Sequence, residues 1–480
     1  MIPAAQIVAA FQQQFNVKTP TTDLSIHQSL DLLASSSSSQ NNDISGITTG
    51  TAEQPSPLDG LLQMAELPPA THPTGTRGPI ILQLGGRDPQ QLALASAIGS
   101  FYGYNGINLN CGCPSNAVSG GERSGGAALM REPSVVARCL EQMSHALDQA
   151  GPHKMTTTLS VKHRLGVHNA ATYNAQDDRA RPDGDYHAFQ QCRDFVRTIS
   201  LGGDISKIQV HARLGLLGDF DASNDDDNKV AEDGTNLWVP GTSTATDSTK
   251  QKIKVDHKRV QYRAKKQARY ATIRNRSVPP LRPKVVDMMA AEFPQLQVIT
   301  NGGIGSLQDI QSRVPRPGSK IAGAMVGRAA INHPCAFGNV DAALWGHDDE
   351  SSRTITRESV LLDYIQYCQK EEAAFFAMDK GNRSLASVEG SLVALRRRLV
   401  AVPFHLFAGE VGNEEYQRRI RKLVARAQRH SSGGILTAAL SVVPTETALK
   451  SVTEYATQPK DIPTFQASRQ RSGPLQRTIF

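Results

Sequence analysis

Between residues 78 and 347 the chain alternates short apolar runs with amphipathic stretches, and this alternation constrains the fold more than any other feature of the sequence. The apolar runs predict strands near residues 80–84, 106–110, 158–163, 207–212, 296–301 and 321–326. The amphipathic stretches predict helices near residues 88–100, 133–148, 186–201, 282–292, 306–313 and 330–345. Repeated strand–helix units of this kind form a parallel sheet that is covered by helices.

Two glycine-rich turns favour a closed barrel over an open sheet. Gly302 and Gly303 follow one predicted strand, and Gly327 with Arg328 follows the next. Paired phosphate-binding loops after strands seven and eight are typical of TIM barrels, so the visible strands are most simply numbers three to eight. We therefore expect an α/β fold of the TIM (β/α)8 type, in which the first two strands precede residue 78 but are not identifiable in the sequence.

The rest of the chain divides into further segments. Residues 1–77 are rich in Ser, Asn, Gly and Pro, which predicts a disordered N-terminal segment with one short helix at residues 3–15. A charged insertion at about residues 214–272 is acidic in its first part and basic in its second, and we expect it to leave the barrel as a loop. Its basic part fits a solvated helix face or an RNA contact equally well. Residues 348–440 predict a helical domain and residues 441–480 a disordered tail.

Charge, cysteine spacing and hydrophobicity indicate the kind of partner and the cellular compartment to expect. The formal net charge of +7 suggests a polyanionic partner. The six cysteines lack the spacing of a zinc site, which favours free thiols in a reducing compartment. Since no apolar run approaches the length of a membrane span and the N-terminus lacks a secretory pattern, we expect a protein of the cytoplasm, mitochondrion or plastid that is neither secreted nor membrane-bound.

The stretch at residues 108–115, Asn-Leu-Asn-Cys-Gly-Cys-Pro-Ser, predicts a tight turn after a strand that exposes Cys113 beside Asn110. The Cys-Pro step fixes the backbone after the thiol and disfavours a helix there. Folds built from strand–helix units place their chemistry at the carboxyl ends of the strands. Cys113 is therefore a candidate catalytic thiol, although a free cysteine is more often a small packed residue.

Seven motifs, in order, give residues 80 to about 347 a resemblance to the tRNA-dihydrouridine synthases, nearest to their A-type and plant-like branch. The motifs lie at residues 82–86, 108–115, 160–167, 210–213, 275–281, 300–304 and 324–328. The opening strand and turn of that family, of the type Ala-Pro-Met-x-x-x-Thr, have no match in residues 1–77. The resemblance therefore leaves closure of the barrel, and with it activity, open.

The resemblance implies a flavin-dependent reduction of uridine in tRNA to 5,6-dihydrouridine, with FMN as cofactor and NADPH or NADH as reductant. Reduced FMN would give a hydride to C6 of the base, and Cys113 would give a proton to C5 as general acid. A thiol suits this role because its ordinary pKa of about 8.5 keeps it protonated at neutral pH. Asn110 is expected to bind the uracil edge and Arg213 an anion of the substrate.

Eight residues are candidates for binding the flavin. Lys162 resembles the family's cation near the negatively charged edge of the reduced flavin, and Gln83 is expected to contact the pyrimidine edge. His211 is a candidate flavin or phosphate ligand, although a lone histidine on a strand is more often a satisfied core residue. The two glycine-rich turns would hold the phosphate, with candidates Asn301, Gly302, Gly303, Gly327 and Arg328.

The segment at residues 414–430 predicts a helix with one apolar face and one basic face. The apolar face carries Tyr416, Ile420, Leu423, Val424 and Ala427. The family has a C-terminal helical domain that grips tRNA, so the resemblance implies tRNA as the partner, and no protein partner is implied. The alternative is a merely solvated face. The candidate RNA-binding residues are Arg418, Arg419, Lys422 and Arg426.

Two other functions remain open at this stage. An FMN-barrel reductase of a small molecule would not need the basic helical C-terminus. A catalytically inactive RNA-binding remnant, with a barrel that no longer holds flavin, would fit the unmatched N-terminal segment. Flavin absorbance in the purified protein would separate the remnant from both enzymes.

Overall fold

A seven-stranded parallel sheet forms the centre of the protein. The computed structural model describes residues 1–16, 26–38, 58, 62, 79–115, 125–150, 157–218, 275, 278–314, 320–346, 354–378 and 385–454. The sheet has the strand order β1-β2-β3-β4-β6-β8-β9, and a separate pair joins β5 to β7. The strands are β1 (Ile2–Pro3), β2 (Ile81–Gly85), β3 (Gly106–Cys111), β4 (Thr158–Arg164), β5 (Val167–Asn169), β6 (Ile205–His211), β7 (Gly215–Leu217), β8 (Gln297–Asn301) and β9 (Ile321–Met325).

Helices alternate with these strands and then form a separate C-terminal group. Among the described residues, ten helices belong to the sheet region: α1 (Ala4–Phe15), α2 (Ile26–Ser38), α3 (Pro89–Phe101), α4 (Pro133–Gln149), α5 (Ala175–Ala180), α6 (Gly184–Ile199), α7 (Pro283–Glu292), α8 (Leu307–Arg313), α9 (Arg328–Asn332) and α10 (Val340–Trp345). The C-terminal group is α11 (Arg357–Met378), α12 (Leu385–Ala401), α13 (Asn413–Val424), α14 (Ser432–Leu440) and α15 (Thr445–Ala448). Among the described helices, none is long and apolar enough to cross a bilayer.

The predicted α/β class and all six predicted strands are confirmed, each within two residues of its expected bounds. β3 is buried at every position, as expected for an inner strand of a parallel sheet. The single helix predicted at residues 330–345 is wrong. It is divided into α9, a 3-10 turn at Pro334–Phe337 and α10, because a proline inside a helix removes a hydrogen bond and collides with the preceding turn.

The N-terminal segment is partly folded, which corrects the expectation of disorder. β1 pairs in parallel with β2, and α1 begins directly after it, close to the short helix predicted at residues 3–15. Ile7 and Phe11 are fully buried in the core that also contains α3. A strand of two residues carries no periodic pattern, so the sequence could not reveal it. Within the described residues, β1 and β9 are the two ends of the sheet.

The C-terminal helices form a second core around Phe407, Tyr416 and Ile420. A buried ion pair ties its ends together, since Arg357 donates to Glu410 at 3.0 Å and both side chains are at most 1% exposed. Residues 441–454 belong to this core, with Ala448 buried, which corrects the predicted start of the tail at residue 441. The tail expected after residue 454 lies outside the described residues.

The charged insertion begins and ends at one place. The N–H of Leu216 donates to Oδ1 of Asn275 at 2.7 Å, and Nδ2 of Asn275 donates back to the Leu216 carbonyl at 2.9 Å. Leu216 lies in β7, so the first residues of the predicted insertion are part of a strand pair. The loop and the RNA contact predicted for its remainder fall at residues 219–274, outside the described part of the chain.

Candidate active site

The carboxyl ends of the parallel strands bring the predicted site residues together. Register places Asn110 of β3 beside Lys162 of β4. Two residues along β4, Arg164 stands beside His211 of β6, and His211 stands beside Asn301 of β8. Because these positions alternate along each strand, their side chains share one face of the sheet. The register therefore brings residues of four separate motifs to one edge of the sheet, while their roles toward a ligand stay predictions.

The turn after β3 holds Cys113 through its backbone. Oδ1 of Asn110 accepts the N–H of Gly112 at 2.9 Å and the N–H of Cys113 at 3.1 Å. The buried guanidinium of Arg164 donates to the Gly112 carbonyl at 2.9 Å. Cys113 is half-buried, whereas Cys111 is fully buried and burial raises the pKa of its thiol. The turn therefore presents Cys113 to the site and keeps Cys111 protonated inside the core.

Asn110 has a different geometry from the one expected. Its carboxamide oxygen already accepts two backbone N–H groups, and its Nδ2 lies 2.6 Å from the Met1 sulfur. A uracil edge that needed both a donor and an acceptor would find the acceptor engaged. The residue orients the Cys113 turn, and its contact with a uracil edge stays a prediction for the amino group alone.

Lys162 supplies a half-buried positive charge next to the thiol. Burial lowers its pKa from 10.5 to about 8, with the nearby Arg164 acting in the same direction and Cys113 opposing it. An ammonium group that is held in an apolar setting beside another cation has an unmet preference for an anion. This arrangement fits the predicted role of Lys162 opposite a negatively charged cofactor edge.

His211 lies at the centre of the positive charges. Burial is the main cause that lowers its pKa to about 2, so its imidazole is neutral and acts as a hydrogen-bonding group. The other causes are four cationic neighbours, and no carboxylate is among them. Such a cluster attracts an anionic ligand. The four neighbours are Arg164, Lys162, Arg213 and Arg328.

A glycine cradle adjoins His211 at the end of β8. Gly302 has a φ of +108° and Gly303 a φ of +71°, which only glycine adopts without strain. A Cβ on Gly302 would lie 2.8 Å from Cδ2 of His211. The cradle therefore leaves room that a larger residue would fill, and its exposed backbone fits a phosphate group.

The neighbouring loop after β9 completes this edge. Nδ2 of Asn301 donates to the Met325 carbonyl at 2.8 Å, which ties the end of β8 to the end of β9. Gly327 precedes the short helix α9, and Arg328 is its first residue. The predicted phosphate-binding residues of both loops thus lie at one edge, although their contact with a ligand stays a prediction.

Gln83 belongs to a buried polar network that the sequence analysis did not predict. Its Nε2 donates to Oδ1 of Asn108 at 2.8 Å. Nδ2 of Asn108 donates to Ser160 at 2.9 Å and to Gln209 at 2.7 Å. Polar side chains within the strands are visible in the sequence, but only the register shows that these four meet. The network fixes the orientation of Gln83 toward any ligand.

Arg213 is one of the four cationic neighbours of His211. Its Nη1 donates to the Pro279 carbonyl, and burial lowers its pKa, with Arg179 as the next cause. Its predicted role as an anion ligand is compatible with this position. The neighbouring Arg179 was not recognised in the sequence, because the short helix α5 that carries it has no motif of its own.

The basic face of α13 is present, with one difference from the prediction. Tyr416, Ile420 and Val424 are buried, as the pattern predicted, and the helix ends at Val424. Three of the four candidate RNA-binding residues are exposed, whereas Arg419 is half-buried because it lies nearer the packed side. Arg418 pairs with Glu415 at 2.6 Å on the surface, which contributes little to stability. The exposed candidates are Arg418, Lys422 and Arg426.

The protein is an α/β protein with a parallel sheet, and the carboxyl edge of that sheet carries the Cys113 thiol and a cluster of cations that could bind an anionic ligand. The chain belongs to the dihydrouridine synthase (Dus) family, whose family model matches residues 62–218 and 265–390, more than half of its length. This membership confirms the family resemblance and the TIM-barrel class, of which the described residues show seven strands.

Three curated relatives of this chain share one name. The tRNA-dihydrouridine(20/20a) synthase of Synechocystis sp. is 30% identical over 267 residues, which is 56% of this chain and 56% of the relative. The protein of that name from Xanthomonas campestris pv. campestris is 31% identical over 61% of this chain and 62% of its own length. That from Pseudomonas aeruginosa is 26% identical over 68% of this chain and 74% of its own. The match to the first two relatives thus spans less than two thirds of their length.

Proposed function

We propose that the protein reduces uridine in tRNA to 5,6-dihydrouridine, with FMN as cofactor and NADPH or NADH as reductant. The observation that carries the proposal is the half-buried Cys113 thiol, which a hydrogen-bonded turn holds next to the half-buried ammonium of Lys162. The family and the names of its curated relatives support the same reaction.

The residues of the site fit an anionic flavin nucleotide. Gly302 and Gly303 offer the cradle for its phosphate, and Arg328 stands on the adjoining loop. Lys162 would stabilise negative charge at the ring edge, since a buried ammonium interacts strongly with an anion. Bound FMN supplies the hydride that goes to C6 of the uracil.

The proton at C5 comes from Cys113. Asn110 and Arg164 keep the thiol in place by binding the backbone on either side of Gly112. A positioned general acid of this kind contributes about 10²–10⁴-fold to a rate.

The tRNA must offer its uridine outside the base stack, which costs a few kcal/mol. The exposed basic face of α13 would supply phosphate contacts that offset this cost without reading sequence. All six cysteines are free thiols, which fits a reducing compartment such as the cytoplasm or an organelle interior.

The test compares the parent protein with Cys113→Ala and the control Cys111→Ala. Flavin absorbance measures cofactor content, and mass spectrometry of an unmodified tRNA transcript measures the gain of two hydrogens per reduced uridine. We expect all three proteins to hold flavin, and Cys113→Ala to slow tRNA reduction by about 10²-fold or more. Near-normal turnover of Cys113→Ala would remove the thiol from the mechanism. Reduction of a free pyrimidine but not of tRNA would point to a small-molecule reductase.

A further inference from the structure

Two arginines outside the cradle are held side by side. Nη1 of Arg213 donates to the Pro279 carbonyl, and Nη2 of Arg179 donates to the Val278 carbonyl at 3.3 Å. Because these two carbonyls belong to consecutive residues, they hold the two guanidinium groups next to each other. The repulsion between them contributes to lowering the pKa of Arg213.

No carboxylate neutralises this pair within the described residues. Asp178 directly precedes Arg179 in the sequence, but both oxygens of its carboxylate already accept hydrogen bonds from other residues. Its Oδ1 accepts from Arg282 at 3.0 Å, and its Oδ2 accepts from the Tyr173 hydroxyl at 2.5 Å. The fold therefore places two positive charges together, while the carboxylate of Asp178 binds Arg282 instead of this pair.

The helix that carries Arg179 is tied to the strand ends. The side chain of Asn174 caps the first turn of α5, which carries Arg179, by accepting from Gln176 at 2.9 Å. Arg282 joins this helix to the strand ends, because its side chain binds Asp178 and its backbone N–H donates to the Ala212 carbonyl at 2.9 Å. Arginines that are ordered before a ligand arrives lose less entropy when they bind it.

We propose that Arg179 and Arg213 form a phosphate-binding subsite for the tRNA backbone next to the uridine that enters the site. This inference rests on the proposed function. Guanidinium groups present forked donors that match the oxygens of a phosphate. Arg179 stands on α5, which follows β4 and β5, and Arg213 follows β6, whereas the glycine cradle follows β8 and Arg328 begins α9 after β9. The two sets of groups therefore serve two different phosphates, of the RNA and of the flavin.

The experiment measures binding of an unmodified tRNA transcript over a series of salt concentrations, together with flavin content. The variants are Arg179→Ala, Arg179→Lys and the matched control Arg181→Ala, an exposed arginine at the end of the same helix. For Arg179→Ala we expect tRNA affinity to fall roughly tenfold at low salt. The log–log salt slope should decrease by about 0.7–0.9, the loss of one phosphate contact. Arg179→Lys should recover part of the affinity because it keeps the charge but not the fork.

Flavin content should equal that of the parent in all three variants. Three results would overturn the subsite: unchanged tRNA affinity and slope in Arg179→Ala, an equal loss in Arg181→Ala, or a loss of flavin with unchanged tRNA binding, which would assign the pair to the cofactor. Dihydrouridine formation by the parent is measured separately. Its absence would refute the proposed function, while the salt series would still decide whether the pair binds RNA.

Discussion

Replacing Lys162 by methionine tests the charge in the site most directly. The substitution removes a half-buried ammonium and keeps a side chain of similar length. Burial lowers the pKa of Lys162 from 10.5 to about 8, and a shift of that size corresponds to roughly 3 kcal/mol of unfavourable free energy in the flavin-free folded state. Flavin-free Lys162→Met protein should therefore be more stable than the parent near neutral pH, by up to about this amount.

The pH dependence gives this prediction its sign. Below pH 8 the lysine is protonated in both the folded and the unfolded state, so the parent bears the whole cost of the buried charge. Between pH 8 and 10.5 the folded state loses the proton first, so the stability contributed by this residue rises with pH. The methionine variant lacks that rise, and its advantage over the parent should shrink across this range.

Urea unfolding of the flavin-free proteins near neutral pH and at a pH above the folded pKa measures the difference in free energy of unfolding. The same pair of proteins in a Cys113→Ala background removes the contribution of the neighbouring thiol. Flavin retention should move in the opposite direction and fall in Lys162→Met, because an anionic ligand loses its cation. A stability difference that stays constant with pH, or full flavin occupancy in the variant, would refute this account of Lys162.

Three further substitutions test other parts of the structure. Gly302→Ala should lose flavin because its Cβ would meet His211 at 2.8 Å, whereas Gly305→Ala, with ordinary contacts only, should retain it; flavin absorbance decides. Arg357→Ala should cost about 3–5 kcal/mol in urea unfolding because it removes a partner of the buried Glu410, and pairing Arg357→Met with Glu410→Gln should recover part of that loss. Neutralising the four candidate RNA-binding residues at and just after α13 should weaken tRNA binding and flatten its salt dependence, while flavin content stays unchanged. An unaltered salt slope would mean that this basic face is only solvated. The four positions are Arg418, Arg419, Lys422 and Arg426.

The sequence predicted those parts of the fold that depend on local patterns. Apolar runs with defined ends placed all six strands, and the Gly-Cys-Pro turn placed Cys113 at the end of β3. The helix divided at Pro334 was missed because its amphipathic pattern continues across the break. β1 was missed because two residues, Ile2 and Pro3, are too few to show a pattern, and only pairing with β2 defines them.

The candidate site was predicted less completely, for a physical reason. Motifs identify which residues carry chemistry, whereas their bonding depends on register and on distant loops. Asn110 was expected to face a base, but its oxygen binds the backbone of the thiol turn. Asp178 and Arg282 lie 104 positions apart in the sequence, and only the folded chain brings their side chains together. Such long-range polar contacts leave no periodic signal.

The amide of Asn275 makes the length of the chain between residues 218 and 275 almost irrelevant to the barrel. It pairs with the backbone of Leu216 as a neighbouring strand would, so the two ends meet whatever lies between them. Each doubling of a flexible loop adds only about 0.6 kcal/mol to the entropy of closing it. The family match accordingly stops at residue 218 and resumes at 265. This junction is a point where evolution, or a protein engineer, can add or remove whole segments while the chemistry beside it stays intact.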